Sequence, residues 1–129
     1  MTVNNNPQSW KFLSGALGLW MPANDYAVFM QMWLNKGKYG NLELLKESTV
    51  KEALKIHVNA YDEKHFGHGF GWFIEENPLV FRYGGSTGSF AKAYLSKNSI
   101  MVYLTHCSGG THKSRFEDEL DRIWFPNAF

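Results

Sequence analysis

The sequence lacks the features that mark several broad classes of protein. Cys107 is the only cysteine among 129 residues, so neither an intrachain disulfide nor a CxxC zinc site is possible. Thirteen basic residues stand against twelve acidic ones, without a run of like charge. Nucleic acid and anionic membrane surfaces are therefore not expected partners. No apolar run is long enough to span a bilayer.

The N-terminus also lacks a targeting signal. Its first eight residues are polar, include three consecutive asparagines, and have no basic start followed by an apolar segment. By default we expect a cytoplasmic protein.

What the sequence does contain is apolar and aromatic. Hydrophobic residues make up 44% of the chain and aromatic residues 16%, which is enough for one core built on large rings. We expect an irregular arm at residues 1–14 and a single domain at residues 15–129.

Three segments predict helices. The first has apolar residues at helical spacing, a cap at Asn24 or Asp25, and Gly37 just past its end. The second begins at an N-cap Ser48, and the third at a capping box formed by Ser114 and Glu117. Their apolar faces comprise Tyr26, Phe29, Met30, Trp33 and Leu34 in the first, Val50, Ala53 and Leu54 in the second, and Phe116, Leu120, Ile123 and Trp124 in the third.

The middle of the chain predicts strands. Phe70, Trp72 and Ile74 alternate, residues 79–83 follow, and residues 90–95 form a hairpin with the apolar strand that begins at Ile100 and ends at Thr105. That last strand is apolar enough to be covered on both faces, whereas residues 59–68 are polar and loop-like. The predicted fold class is α+β, with an antiparallel sheet of three to four strands packed against helices.

A glycine-rich stretch separates two of these strands. Residues 83–90 read YGGSTGSF, with three glycines and three small hydroxyl residues. Glycine permits sharp bends and lets another group approach the backbone N–H groups. The stretch therefore predicts a backbone cradle for a bound group.

The order of these elements resembles the C-terminal portion of the serine β-lactamase and penicillin-binding-protein-like hydrolases, especially the class C and esterase-like branch. The resemblance covers Gly15 to Trp124. Residues 18–20 and 23–26 resemble the family's entry to a helix, and residues 69–72 resemble its glycine-x-glycine-tryptophan strand. Residues 83–90 resemble its third motif, usually lysine-threonine-glycine or histidine-x-glycine.

The resemblance implies an acyl-transfer site. The amide of Ser86, after Gly84 and Gly85, would supply half of an oxyanion hole. The position of the basic residue falls on Tyr83, whose phenol, with an ordinary pKa of about 10, supplies no positive charge. Tyr83, Ser86, Thr87 and Trp72 are the expected binding residues.

The family's nucleophile is not found at its expected place. It belongs to a serine-x-x-lysine motif far N-terminal to this region, followed by tyrosine-x-asparagine. Ser48 to Lys51 and Tyr39 to Asn41 match these patterns, but in reversed order and only a few residues apart. We interpret Ser48 as a helix cap and residues 39–41 as a turn.

The sequence therefore predicts a free-standing, truncated serine hydrolase fragment that is not catalytic alone and serves binding or assembly. Two alternatives stay open. One is a weak esterase, amidase or β-lactam hydrolase completed by a second chain, such as a separately encoded N-terminal half. The other is a small-molecule binding module using the surface of Phe70, Trp72 and Tyr83. The parent family is often periplasmic or extracellular.

The resemblance also bears on assembly. In the family, an N-terminal strand absent here flanks the strand from Ile100 to Thr105. An apolar strand left at an edge pairs readily with another chain. We expect a homo-oligomer, such as a homodimer, joined through this strand or by segment exchange.

No cofactor and no metal are expected. His65 and His68 have a ligand-like separation, yet only Asp62 and Glu63 lie near them, and zinc needs three or four ligands. Cys107 and His106 are adjacent, so on a strand they would point to opposite faces and could not form a dyad.

Overall fold

A computed structural model describes residues 19–60, 65–76, 79–106 and 111–124, with only the backbone for 111–115. The predicted N-terminal arm and Cys107 lie outside the described residues. Within the described part, no helix is long and apolar enough to cross a membrane.

Three α-helices and eight strands make up the described chain. The helices are α1 (Ala23–Leu34), α2 (Glu47–Ala53) and α3 (Thr111–Trp124). The strands are β1 (Lys38–Tyr39), β2 (Leu42–Glu43), β3 (Val58–Asn59), β4 (Phe66–His68), β5 (Phe73–Glu76), β6 (Leu79–Gly84), β7 (Phe90–Tyr94) and β8 (Ser99–Tyr103).

The strands form a two-stranded hairpin, β1 and β2, and a six-stranded antiparallel sheet in the order β3-β4-β5-β6-β7-β8. The predicted α+β class is confirmed, but the sheet is wider than three or four strands. The additional strands β3 and β4 have two and three residues. They lie in the polar segment predicted as a loop, where no apolar alternation marks them.

Large rings fill the core between α1 and the sheet. Trp72 meets Trp33 edge to face at 5.4 Å and Phe81 at 5.0 Å. Met30, Ile74 and Phe81 are fully buried. Aromatic side chains thus form the contact between α1 and the sheet.

The ends of the helices differ from the predictions. Pro22 and Lys46 precede α1 and α2, and neither makes a side-chain cap. Their carbonyl oxygens accept the first helical bonds, from Tyr26 and Val50 at 3.2 and 3.1 Å. The predicted caps at Asn24 or Asp25 and at Ser48 are therefore wrong, because these residues lie inside the first turns.

The predicted start of α3 is also wrong. The helix begins at Thr111, so Ser114 lies within it rather than at its N-cap position. The Glu117 carboxylate binds Lys92 at 2.8 Å and Arg82 at 3.2 Å. Glu117 thus attaches the helix to the sheet instead of closing a capping box.

The strand β8 lies at one side of the sheet. It pairs with β7 from Ser99 to Tyr103, and among the described residues no strand pairs with its other side. All five of its residues are half-buried. The prediction of a strand fully covered on both faces is therefore wrong, and in the described part of the chain β8 is an edge strand.

Candidate functional site

The glycine-rich stretch forms a tight turn between the two longest-paired strands. Gly85 donates its N–H to the Ser89 carbonyl at 2.8 Å, and Gly88 donates to the Gly85 carbonyl at 3.1 Å. Gly88 has a φ of +89°, which glycine adopts without strain. The bond from Gly88 to Gly85 makes Ser86 and Thr87 the central residues of a four-residue turn.

This turn projects beyond β5. Pairing between β5 and β6 ends at Phe73 and Arg82, while pairing between β6 and β7 continues to Gly84 and Phe90. Ser86 is exposed, and within the described ranges its N–H meets no acceptor. The backbone donor that the sequence singles out is therefore available to a bound group.

Ser89 fixes the base of the turn to the end of the neighbouring hairpin. Its hydroxyl donates to the Thr105 carbonyl at 2.8 Å and accepts the Thr105 N–H at 2.9 Å. This double contact replaces a ladder bond where the strands diverge. It holds the turn in place although the turn itself is exposed.

The predicted binding residues do not all lie at one surface. Tyr83, Ser86 and Thr87 lie on or beside the turn, and Tyr83 is 49% exposed. Trp72 is only 5% exposed and packs in the core. Trp72 thus supports α1 and the sheet, whereas Tyr83 presents its ring outward.

A second tyrosine lies near Tyr83. Burial raises the pKa of the Tyr26 hydroxyl, and the neighbouring Tyr83 raises it further. Tyr26 thus brings a second phenol close to Tyr83, the position at which the resemblance expects a basic residue.

The serine-x-x-lysine match is exposed on α2. Ser48 is exposed in the first helical turn. Lys51 has 69% of its side chain exposed and pairs with Glu47 at 2.9 Å. Hydrogen bonds from Lys51 and Lys36 lower the pKa of Glu47. A lysine that must accept a proton from serine needs a desolvated site, and Lys51 is not in one.

The other matches have structural surroundings. Tyr39 ends β1, and Asn41 lies in the turn before β2. His65 is 3.4 Å from Glu76, and the His68 ring packs 4.3 Å from that of Phe73. Among the described residues, no group of three or more histidine, cysteine or acidic side chains converges.

The sequence reasoning missed a buried charged cluster between the sheet and α3. Lys92 on β7 bonds Asp121 at 2.6 Å and Glu117 at 2.8 Å, with 7% of its side chain exposed. Arg82 on β6 bonds Glu75 at 2.9 Å and Glu117 at 3.2 Å. The signal was present, since two cations interrupt apolar strands and two acids lie four residues apart on one helix.

Tyr94 completes this cluster by donating its hydroxyl to Asp121. Burial comes first in raising the pKa of Tyr94 above its ordinary value, followed by the Asp121 hydrogen bond and the nearby carboxylates. The cluster thus keeps Tyr94 neutral and fixes α3 on the sheet.

Comparison with known proteins shows which family the chain belongs to. The chain matches the β-lactamase family over residues 1–123. Over 65 residues, half of the chain, it is 35% identical to a protein of Salmonella enteritidis PT4 described as a D-alanyl-D-alanine carboxypeptidase, and 37% identical to its counterpart in Salmonella gallinarum. The matched segment spans 14% of the length of each relative.

A solved structure of Bacteroides dorei, described as a β-lactamase, aligns with 74% of this chain and 38% of its own, at 20% identity and a TM-score of 0.47. The match over residues 1–123 decides the classification. The chain belongs to the β-lactamase family.

Proposed function

We propose that this chain supplies the third-motif strand and one oxyanion donor to a β-lactamase-type acyl-transfer site, and that it does not turn over substrate by itself. The observation that supports this most is the exposed Ser86 N–H, which has no acceptor among the described residues. Such a donor stabilises the negative charge that develops on a carbonyl oxygen, by roughly 3–4 kcal/mol.

The nucleophile would come from other polypeptide, either elsewhere in the same protein or in a second chain. Ser48 is a poor candidate because its lysine is exposed and paired with Glu47. Tyr83 offers a hydroxyl where the family has a cation, so we expect it to bind substrate as a hydrogen-bond donor. Acyl compounds such as β-lactams, esters and D-alanyl-D-alanine peptides are the substrate class to test.

The test measures hydrolysis of nitrocefin, a nitrophenyl ester and a D-alanyl-D-alanine peptide. The chain is assayed alone and after mixing with a nucleophile-bearing N-terminal part of a family member. We expect no turnover by the chain alone, and turnover in the mixture that Ser86→Pro lowers by about 10²–10³-fold. Proline is favoured at the second position of such a turn, so this change removes the N–H while permitting the turn.

Ser86→Ala is the matched control, because it keeps the amide donor and should leave turnover unchanged. Turnover by the chain alone that is lost in Ser48→Ala would show that Ser48 is the nucleophile and would overturn the proposal.

A binding module is the second candidate, favoured by two exposed rings. Phe70 is 60% exposed and stacks on His57 at 4.2 Å, and Tyr83 is 49% exposed. A flat ligand could stack on such surfaces. Saturable thermal stabilisation by a ligand, without turnover in any mixture, would favour this function over acyl transfer.

We also propose that β8 pairs with another strand. Beside its open edge, a groove of about 560 Å³ runs between β8 and α3, lined mainly by apolar side chains. Ile123 and Trp124 at the end of α3 are 70% and 68% exposed. An added strand would satisfy the open backbone groups and cover this apolar surface, and a second copy of the chain is the partner proposed.

A further inference from the structure

A second, partly open cavity lies on the face of the sheet that α3 covers. Its volume is about 250 Å³. Its walls are formed by Phe66, Phe73, Arg82, Tyr83, Gly84, Phe90 and Glu117. Four strands and one helix therefore contribute to a single small cavity.

The strand register explains why these residues meet. Phe73 is paired with Arg82, and Gly84 with Phe90. Paired residues share a face of the sheet, as do residues two apart on one strand. The rings and the guanidinium therefore face the same way, and the missing side chain of Gly84 leaves space between them.

Arg82 brings unused hydrogen-bond donors to this cavity. Its Nε donates to Glu75 and its NH1 to Glu117. A guanidinium has five N–H donors, and within the part of the chain that the structure describes the others meet no acceptor. The guanidinium lies 5.5 Å from the Phe66 ring centre and 6.0 Å from that of Phe73. The cavity thus combines a polar wall with aromatic walls.

The charges of the cluster decide which ligand suits these donors. Arg82 and Lys92 face three carboxylates, those of Glu75, Glu117 and Asp121. One negative charge remains, so an anionic ligand would be repelled by the cluster as a whole. A cationic ligand would meet Arg82 at the wall. A neutral acceptor avoids both costs.

We propose that this cavity binds a neutral, flat apolar group carrying a carbonyl oxygen, such as an aromatic amide. The oxygen accepts from the free N–H groups of Arg82, and the ring packs against Phe66, Phe73 and Phe90. The volume is below the range of about 300–1,000 Å³ found for drug-sized ligands, so the cavity accepts a single ring-sized group. The site adjoins the proposed acyl-transfer site, since Tyr83 lines the cavity as well, but it does not require a nucleophile.

The test is an NMR titration of the whole chain with benzamide, benzoate and benzylamine, three probes of similar shape and different charge. Benzamide should shift the backbone amides of Gly84 and Phe90 in a saturable way. Benzoate should bind about tenfold more weakly than benzamide, because the net negative charge of the cluster repels its carboxylate. Benzylamine should also bind more weakly than benzamide.

Glu117→Gln tests the charge argument directly. It removes the excess negative charge, so the preference for benzamide over benzoate should fall from about tenfold to about threefold or less. Glu43→Gln is the matched control, because it removes one exposed carboxylate far from the cluster and should leave the preference unchanged. In the unmodified protein, added salt should narrow the same preference, which provides a measurement independent of how the variant folds.

Three results would overturn the proposal. The first is benzoate binding as tightly as benzamide, and the second is saturable shifts confined to amides away from Gly84 and Phe90. The third is no saturation by benzamide at its solubility limit. None of these results bears on Ser86, so this proposal and that of acyl transfer can fail separately.

Discussion

At the scale of single residues, the fold depends on two cations placed in apolar strands. The Lys92 side chain is buried, so its ammonium group is not solvated and instead binds the carboxylates of Glu117 and Asp121. Buried pairs of this kind contribute little compared with well-packed apolar residues, but removal of one partner leaves uncompensated charge. Lys92 therefore matters because its loss would leave buried carboxylate charge without compensation.

We predict that Lys92→Ala lowers the free energy of unfolding by about 3–5 kcal/mol, since the buried Asp121 carboxylate loses its cation and Glu117 keeps only Arg82. Denaturant unfolding followed by circular dichroism measures this. Lys51→Ala is the control, because its pair with Glu47 is exposed and its loss should barely move the midpoint. Equal midpoint shifts in the two variants would contradict the structural role of the cluster.

At the scale of elements, the join between α1 and the β1–β2 hairpin depends on Gly37. Its φ is +93°, and its N–H donates to the Met32 carbonyl at 2.9 Å. A Cβ at this position would lie 2.1 Å from the Leu45 carbonyl oxygen. The end of the helix and the path of the hairpin therefore require a residue without a side chain.

We predict that Gly37→Ala destabilises the chain by about 2–4 kcal/mol, combining backbone strain with a clash against backbone that cannot move away. Gly40→Ala is the matched control. Gly40 also has a positive φ, of +56°, but a Cβ there meets nothing within 4 Å. We expect Gly40→Ala to lower the free energy of unfolding by about 1 kcal/mol. A loss as large as that of Gly37→Ala would show that the clash with Leu45 contributes nothing and that backbone strain accounts for both.

At the scale of the whole molecule, every inner strand of the described sheet pairs on both sides, and only β3 and β8 have an edge without a described partner strand. Charged residues and proline are the usual protections of an edge strand against pairing. The strand β8 contains neither between Ser99 and Tyr103. The proposed second copy would extend the sheet across this edge. Assembly is then a property of the whole surface rather than of one residue.

We predict that the chain associates at micromolar concentration and that Leu104→Lys shifts it toward monomer, since a lysine at the edge opposes strand addition. Leu104 is 46% exposed, beside the end of β8. Light scattering coupled to size exclusion measures the change. Leu44→Lys, at a 61% exposed leucine elsewhere, should have no effect, and a folded monomer in the unmodified chain would contradict the proposal.

Local patterns in the sequence were sufficient for the fold class and for most element positions. Apolar spacing placed α1, and Gly37 correctly marked the turn just past its end. The glycine-rich residues 83–90 indicated the turn, because glycine permits such bends whatever lies elsewhere in the chain. The predicted helix starts were wrong, because the carbonyl groups of Pro22 and Lys46 accept the first helical hydrogen bonds and no side-chain cap marks these positions in the sequence.

What remained undecided depended on residues distant in the chain. The short strands β3 and β4 exist because β5 offers an edge to pair with, although their own sequence is polar. Trp72 is buried because α1 covers it, and Lys92 is satisfied because α3 brings two acids to it. Sequence by itself determined the local conformations and the family pattern. Only the tertiary structure decided which rings are buried, which charges meet, and which edge of the described sheet has no partner strand among the described residues, because each depends on contacts between separate elements.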